Sequence, residues 1–415
     1  MRTLADWLEY IGQIHPVGWD LGLDRVSRVA ERLGVCHPAK RVVLAAGTNG
    51  KGSYCEALNH LAIKAGLRVG LTTSPHIQHF SERIRIQGRR VEDDVIVDAF
   101  KQIEAARAEI TLTYFEFSSL AGLVVFQTSD LDLAILEVGL GGRLDAMNVV
   151  TPDVSVILPI AMDHEHYLGS TREAIGLEKA GILRERMPAV IADPDPPQSV
   201  LNELKRLDVP NLQLGQDFGW DGGRLWWTSN ANQIEAHIGE PKLPSVSLAA
   251  AMQTSAMLCW APAPEGLTDL TLMGRQSWLQ HGNRTLLMDV AHNPHAIARL
   301  GRTLRAWLNL HPTSKIEGVF GVYRDKALAE MLLALEGAVT FFHCSQVDEA
   351  RALPGAEIVK TLHAKGLQSA ASYPSISEAL AAALGHTASS DLVVVFGSFP
   401  VVGESLNYLG IHPFD

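Results

Sequence analysis

Residues 41–53 read Arg41-Val-Val-Leu-Ala-Ala-Gly-Thr-Asn-Gly-Lys-Gly-Ser53, and the helix-compatible stretch Tyr54–Ala62 follows directly. An apolar run, a glycine loop and a helix in that order build a phosphate cradle. The glycines Gly47, Gly50 and Gly52 let successive backbone N–H groups turn toward an anion, and the helix N-terminus adds partial positive charge. Lys51 reaches the outer phosphates. A nucleoside triphosphate is the expected occupant, held by Gly47, Thr48, Asn49, Gly50, Lys51, Gly52 and Ser53. The general phosphate-loop pattern places Ser or Thr directly after the lysine. Here Gly52 stands there, and the hydroxyl arrives one place later at Ser53.

A chain of 415 residues exceeds what one hydrophobic core usually covers, so about two domains are expected. The pattern divides it at residues 1–265 and 266–415. In the first part, strands are expected near 41–46, 68–72, 132–137, 153–158 and 189–192, with helices near 24–34, 53–65, 92–107, 116–127, 171–184 and 197–207. Such alternation means a largely parallel sheet covered on both faces. Residues 210–240 read as hairpins and turns, 247–260 as a helix and Ala261–Gly266 as a linker. The second part restarts the pattern with strands at 285–290, 316–322, 338–343 and 391–396 and helices at 295–308, 325–336 and 376–385. The expected fold class is α/β: a phosphate-loop domain with a mostly parallel sheet, then a smaller Rossmann-like α/β domain. Ligands in such sheets lie beyond the carboxyl ends of the strands, and an interdomain cleft is the expected place for chemistry.

The net charge of −11 argues against a general nucleic-acid binder, which would carry a basic face. No run of eighteen apolar residues and no signal-peptide layout occurs, so no membrane partner and a cytoplasmic location are expected. Cys36, Cys55, Cys259 and Cys344 are widely scattered without zinc-type spacing and read as reduced thiols.

Chemistry-bearing residues fall at the expected strand ends. Leu133–Glu137 puts a carboxylate after an apolar run, the arrangement by which nucleotide enzymes hold Mg²⁺; otherwise Glu137 is a solvated strand end. The run 154–161 finishes in Met162-Asp163-His164-Glu-His166. Clustered Asp and His there serve a metal, a phosphate or a base, although imidazole is an unusual Mg²⁺ ligand.

Across nearly its whole length the chain resembles the folate branch of the Mur ligase superfamily, the folylpolyglutamate and dihydrofolate synthases. The resemblance rests on Asp20-Leu-Gly-Leu-Asp-Arg-Val26, the phosphate loop, Thr73-Ser-Pro-His76, Leu112–Phe117, Leu136–Asp145, Asp163-His164, Glu178-Lys-Ala-Gly181, Asp289–Pro294 and Gly397-Ser-Phe399, in order. It implies an ATP-dependent ligase that joins L-glutamate to dihydropteroate, and to folates, through an acyl phosphate. One or two Mg²⁺ ions are implied, with Ser74, Glu137 and His164 as ligands and the Ser53 hydroxyl close by. Lys51, His164 and Lys179 would be catalytic, and Lys179 matches the lysine that the family carbamylates. Without the resemblance, Lys179 is an ordinary helix lysine beside Glu178.

Arg275, Asp289 and His292 are similar to the family's ATP-binding set, which implies a nucleotide clamped between domains. Asp20, Leu21, Gly22, Leu23, Thr113, Tyr114, Phe115, Glu116, Leu144, Asp145 and Ala146 resemble the places where bifunctional members bind dihydropteroate. Phe115 would offer an apolar face to the pterin ring and Asp145 an acceptor. Taken alone, Tyr114, Phe115 and Phe117 are core aromatics. Leu243-Pro-Ser245-Val replaces the family's Leu-Pro-Asn-Ala segment, and Leu-Met-Gly274-Arg-Gln replaces Pro-Gly-Arg-Phe-Gln. A polyglutamylase alone, or a Mur-type peptide ligase, is the alternative. A guanine switch lacks its Asn-Lys-x-Asp, and a scaffold leaves the loop without purpose. A monomer is expected.

Overall fold

The computed structural model describes residues 2–17, 20–260, 263–349 and 351–413. It forms two compact units: unit 1 comprises Met1–Ala161 and Glu165–Leu270, and unit 2 comprises Met162–His164 and Thr271–Asp415. The linker expected at 261–266 falls partly on Ala261 and Pro262, which lie outside the described residues.

Unit 1 is built on an eight-stranded sheet. Its strands are β1 (Val42–Ala46), β2 (Val69–Thr72), β3 (Ile84–Ile86), β4 (Arg89–Arg90), β5 (Leu133–Glu137), β6 (Val154–Ile157), β7 (Ala189–Ile191) and β8 (Asn211–Gln213), in the order β4-β3-β2-β5-β1-β6-β7-β8. All pairs are parallel except β2–β3 and β3–β4. β1 is buried along its whole length, which is why it reads as an unbroken apolar run rather than an alternation. Ala45 lies beside Glu137 and Ala46 beside Ile157, so the glycine loop and Glu137 leave the same carboxyl edge.

Helix Lys51–Lys64 is buried at nine of its positions, and its Tyr54 hydroxyl donates to Thr254 Oγ1 (3.0 Å) on helix Ser245–Met257. Burial on several sides explains its weak amphipathicity. Helix Tyr114–Gln127 starts with a capping box: Thr113 Oγ1 accepts the Glu116 amide, and the Glu116 carboxylate accepts the Thr113 amide. Its inner face, Phe117 and Phe126 included, joins Leu44, Phe100 and Leu136 in the core. Strands β9 (Gly219–Asp221), β10 (Arg224–Ser229) and β11 (Asn232–His237) form an antiparallel sheet in the stretch expected to hold hairpins.

Unit 2 carries β12 (Ser277–His281), β13 (Arg284–Asp289), β14 (Ile316–Phe320), β15 (Phe341–Cys344), β16 (Ala370–Ser372) and β17 (Leu392–Phe396), ordered β12-β13-β17-β14-β15-β16. Only the edge strand β12 is antiparallel. Leu287, Ile316, Phe320, Phe342, Val394 and Phe396 contribute to its core.

Several expected boundaries shift for physical reasons. Helix 171–184 stops at Ala180, where Gly181 packs its Cα against Arg143. Helix 325–336 shortens to Leu328–Leu333, because Asp325-Lys326-Ala327 turns to aim Lys326 at Asp163. Strand 338–343 moves to Phe341–Cys344, and helix 116–127 starts at Tyr114. No helix among the described residues is long and apolar enough to cross a membrane.

Candidate functional site

In unit 1 the loop after β1 is fixed by close approach. A Cβ on Gly47 would lie 2.6 Å from Leu158 Cβ. Gly50 caps helix Lys51–Lys64 at φ +87°, a left-handed conformation, with its Cα against Ser247. The Thr48 and Asn49 amides donate to Pro159 O at 2.9 and 3.2 Å, and Thr48 Oγ1 exchanges hydrogen bonds with Ala161. Ser247 Oγ donates to Gly50 O at 3.1 Å. Among the described residues no side chain caps the helix, so its first-turn amides and dipole are available to an anion.

Lys51 Nζ and Lys179 Nζ each donate to Gly47 O at 3.0 Å. Lys179 is 3% exposed, an unusual position for an ordinary helix lysine. Its neighbour Glu178 accepts from Arg143 Nε and a terminal guanidinium nitrogen (3.1 and 2.7 Å), tying the 139–145 glycine stretch to this helix. Ser53 is fully buried, and its Oγ has no hydrogen-bond partner among the described residues.

The Ser74 amide donates to Glu137 Oε2 at 3.1 Å, joining two of the expected metal ligands. Glu82 shapes the loop that carries Ser74 by accepting the amides of Ile77, Gln78 and His79. Arg83 Nε donates to His76 Nδ1 at 2.8 Å, and burial pushes the His76 pKa down to about 3. A small pocket opens here, lined by Thr72, Ser74, Arg83, Phe115, Ser119 and Glu137 among others. Thr72 Oγ1 and Ser119 Oγ are buried without a hydrogen-bond partner among the described residues.

The elements expected to bind pterin meet through one cation. Arg25 donates to Asp20 Oδ2 (2.6 Å) and to Glu116 Oε1 (3.1 Å), linking Asp20–Leu23 to Thr113–Glu116. Leu21, Gly22 and Leu23 are half-buried, and Leu23 precedes helix Asp24–Leu33. Tyr114 packs edge-on to Phe80, and Phe115 lies close against Gly139. Leu144 is half-buried and Ala146 buried. Asp145 is buried and accepts the amides of Leu140 and Met147, both at 2.9 Å. Burial raises its pKa to about 6 despite those amides. Its oxygens therefore hold the loop's own backbone.

In unit 2, His164 adopts φ +52°, uncommon for a side chain with a Cβ, and burial lowers its pKa to about 4. Asp163 accepts from Lys326 Nζ (2.6 Å) and Asn293 Nδ2 (3.1 Å). Burial works to raise the Asp163 pKa, but His164, Lys326 and His292 together hold it well below the usual carboxylate range. His292 Nε2 stands 3.7 Å from Asp163, its Nδ1 faces Val290 O, and burial pushes its pKa down to about 4. Asp289 ends β13, accepts the Ala291 amide and is raised to about 6 by burial, against the pull of Arg275 and Arg299. The Arg275 guanidinium lies 5.0 Å above the Phe399 ring.

Lys326, Asn293, Arg25 and Arg83 are not among the residues singled out from sequence. A charged Tyr323-Arg-Asp-Lys326 turn just beyond β14 was the available signal for Lys326. Arg25 stands inside the quoted Asp20–Val26 motif, but its second partner is 91 residues away.

Residues 274–399 match the family Mur ligase, glutamate ligase domain. The dihydrofolate synthase/folylpolyglutamate synthase of Escherichia coli (strain K12) is 36% identical over 98% of this chain and 95% of its own. That of Haemophilus influenzae is also 36% identical, over 97% and 96%. Among solved structures, E. coli FolC in complex with DHPP and ADP superposes with a TM-score of 0.91 at 34% identity, covering 99% of this chain and 98% of that one. A bifunctional folylpolyglutamate synthase/dihydrofolate synthase with Mn, AMPPNP and L-glutamate bound gives 0.90 at 35% identity, covering 99% of each.

Proposed function

Because the chain belongs to the dihydrofolate synthase/folylpolyglutamate synthase family of ATP-dependent ligases, we propose that its phosphate loop and the pocket beside Glu137 carry that family's reaction. The enzyme adds L-glutamate to dihydropteroate, giving dihydrofolate, and to folates, with ATP as co-substrate and Mg²⁺ as cofactor. The observation that carries the residue assignment is the pair of lysines on Gly47 O, in a loop whose Ser53 hydroxyl is buried and has no hydrogen-bond partner among the described residues.

A carboxylate at neutral pH repels nucleophiles and has no good leaving group. Its oxygen first attacks the γ-phosphorus of ATP, releasing ADP and leaving an acyl phosphate. The glutamate amine then attacks the acyl carbon, and inorganic phosphate departs with that carboxylate oxygen. Lys51 and the first-turn amides hold the β- and γ-phosphates in line for transfer. The Ser53 hydroxyl, Glu137 and Ser74 of unit 1 offer oxygen donors that suit a hard cation, and His164 is the further ligand that the family resemblance implies. Mg²⁺ held by these residues would supply charge neutralisation to the phosphoryl group. Lys179, carbamylated, would add a further carboxylate-like group next to the loop. Arg275, Asp289 and His292 are unit 2's contribution to ATP binding.

For the acceptor, Phe115 presents an apolar ring face in the pocket, and the Asp20–Arg25–Glu116 chain fixes the two segments that grip the pterin. Asp145, whose oxygens are taken by backbone amides, shapes this site from behind. A monomer in the cytoplasm, residues 1–265 binding ATP and pterin and 266–415 binding glutamate and ATP, completes the reading. Purified protein given ATP, glutamate and dihydropteroate is expected to form dihydrofolate, and with tetrahydrofolate to lengthen its glutamyl tail. Turnover only with a UDP-sugar peptide would reject the pterin assignment.

A further inference from the structure

We infer that Glu317, His343 and His386 of unit 2 form a binding site for a borderline divalent metal ion of the zinc or cobalt class, separate from the Mg²⁺ site. One ligand atom from each lies within 4.8 Å of the other two. Glu317 is the second residue of β14 and His343 the third of β15. The parallel register pairs His343 with Val319, which puts Glu317 and His343 on one sheet face as diagonal neighbours. His386 ends helix Ile376–His386 and reaches the same spot, its ring centroid 5.3 Å from that of His343.

Two imidazoles and one carboxylate are the donor set of zinc sites that keep a fourth position for water. Mg²⁺ would not select it, since nitrogen donors suit softer ions. Orientation is already provided. His343 Nε2 faces Glu317 Oε2 at 2.7 Å, while its Nδ1 meets the Tyr373 hydroxyl at 3.0 Å. A metal-bound histidine characteristically has its other nitrogen engaged in this way. Phe341 packs edge-on to His386 with ring planes at 90°. Tetrahedral ligands at about 2.1 Å from an ion stand roughly 3.4 Å apart, so Glu317 and His343 need only open slightly around it.

Burial sharpens the case. Glu317 and His343 are 6% and 0% exposed in strands whose other residues are isoleucine, glycine, valine, phenylalanine and cysteine. A buried ionisable pair is seldom worth more to stability than apolar residues of the same volume, so a binding role accounts for it better. His386 is exposed and gives the ion a path from solvent. Glu317 stands near the amino-terminal end of β14, whereas Asp289 stands at the carboxyl end of β13. The two positions serve opposite ends of the sheet.

The test uses the full chain, freed of metal by chelation and then supplied with saturating Mg²⁺ and ADP. Co²⁺ is titrated against visible absorption, and Zn²⁺ by calorimetry and thermal unfolding. One equivalent is expected to bind, with tetrahedral d–d bands, no thiolate charge-transfer band and a raised Tm. His386→Ala, an exposed change, is expected to weaken binding by at least about tenfold and to remove the Tm shift, with ligase activity unchanged. Glu317→Gln is expected to weaken it similarly. No binding, thiolate bands, or equal affinity in wild type and His386→Ala would overturn the assignment.

Discussion

Lys51 and Lys179 converge on a single acceptor, the carbonyl oxygen of Gly47, each with its ammonium nitrogen 3.0 Å away. One lysine comes from the first turn of the helix after the loop, the other from helix Arg172–Ala180. The Gly47 carbonyl holds both side chains in place beforehand: Lys51 as the cation that a triphosphate needs, and Lys179 where carbamylation would turn its nitrogen into a carboxylate-like group beside the loop. Preorganised charge is effective in catalysis because it need not reorganise during the reaction.

Lys51→Ala is expected to lower kcat for ligation by about 10²-fold or more, equivalent to roughly 3 kcal/mol of lost transition-state stabilisation. Its circular dichroism and Tm are expected to match wild type, since the side chain packs little apolar surface. Turnover within a few-fold of wild type would remove Lys51 from the mechanism.

Lys179→Met keeps the volume of a buried side chain and deletes its nitrogen. Ligation is expected to fall by about 10²-fold while ADP still binds, because the group acts on transferring charge rather than on ground-state binding. Mass spectrometry under ¹³C-bicarbonate is expected to place a labelled carbamate on Lys179. An unlabelled lysine with full activity would contradict the modification.

Arg25→Ala cuts the link between Asp20 and Glu116 without touching the phosphate loop. The KM for dihydropteroate is expected to rise about tenfold, the cost of one or two charge-assisted hydrogen bonds, with the KM for ATP little changed. Equal increases in both constants would argue for general loosening instead.

Asp289 gives a pH signature. Its folded pKa is raised to about 6 from 3.8 by burial, so the folded state holds a proton that the unfolded state has lost between those values. The stability it contributes is complete below about pH 4 and is lost as pH rises through 6. Asp289→Asn, which retains an acceptor for the Ala291 amide, is expected to equal wild type near pH 4. It is expected to be more stable by about 1–3 kcal/mol at pH 7 in urea denaturation. A difference that does not change with pH would contradict this.

Local signals were legible and distant ones were not. The β1–loop–helix unit declares itself because an apolar run, three glycines and a lysine are contiguous. Strands β3, β4 and β12 carry no such mark, being short or polar, and they pair antiparallel at the sheet margins. Helix Leu4–Ile14 went unread although Thr3 and Asp6 form a capping box, because Asp replaces the usual Glu or Gln. Helix Phe399–Leu409 begins with Pro400 in its first turn, a start signal masked by the Gly397-Ser-Phe399 motif. Within the candidate site, Glu137 is visible as an acid ending an apolar strand. Lys326 is not, since Asp163 stands 163 positions earlier and only the fold brings them to 2.6 Å. Asp145 shows the converse: sequence suggests an acceptor for a ligand, while two loop amides occupy its oxygens.

Isotope transfer reaches the central claim most directly. Dihydropteroate labelled with ¹⁸O in its carboxylate is incubated with the enzyme, ATP, Mg²⁺ and L-glutamate, and the released phosphate is analysed by mass. Activation as an acyl phosphate predicts one ¹⁸O in each phosphate formed with dihydrofolate. Phosphate free of ¹⁸O while dihydrofolate accumulates would contradict the account.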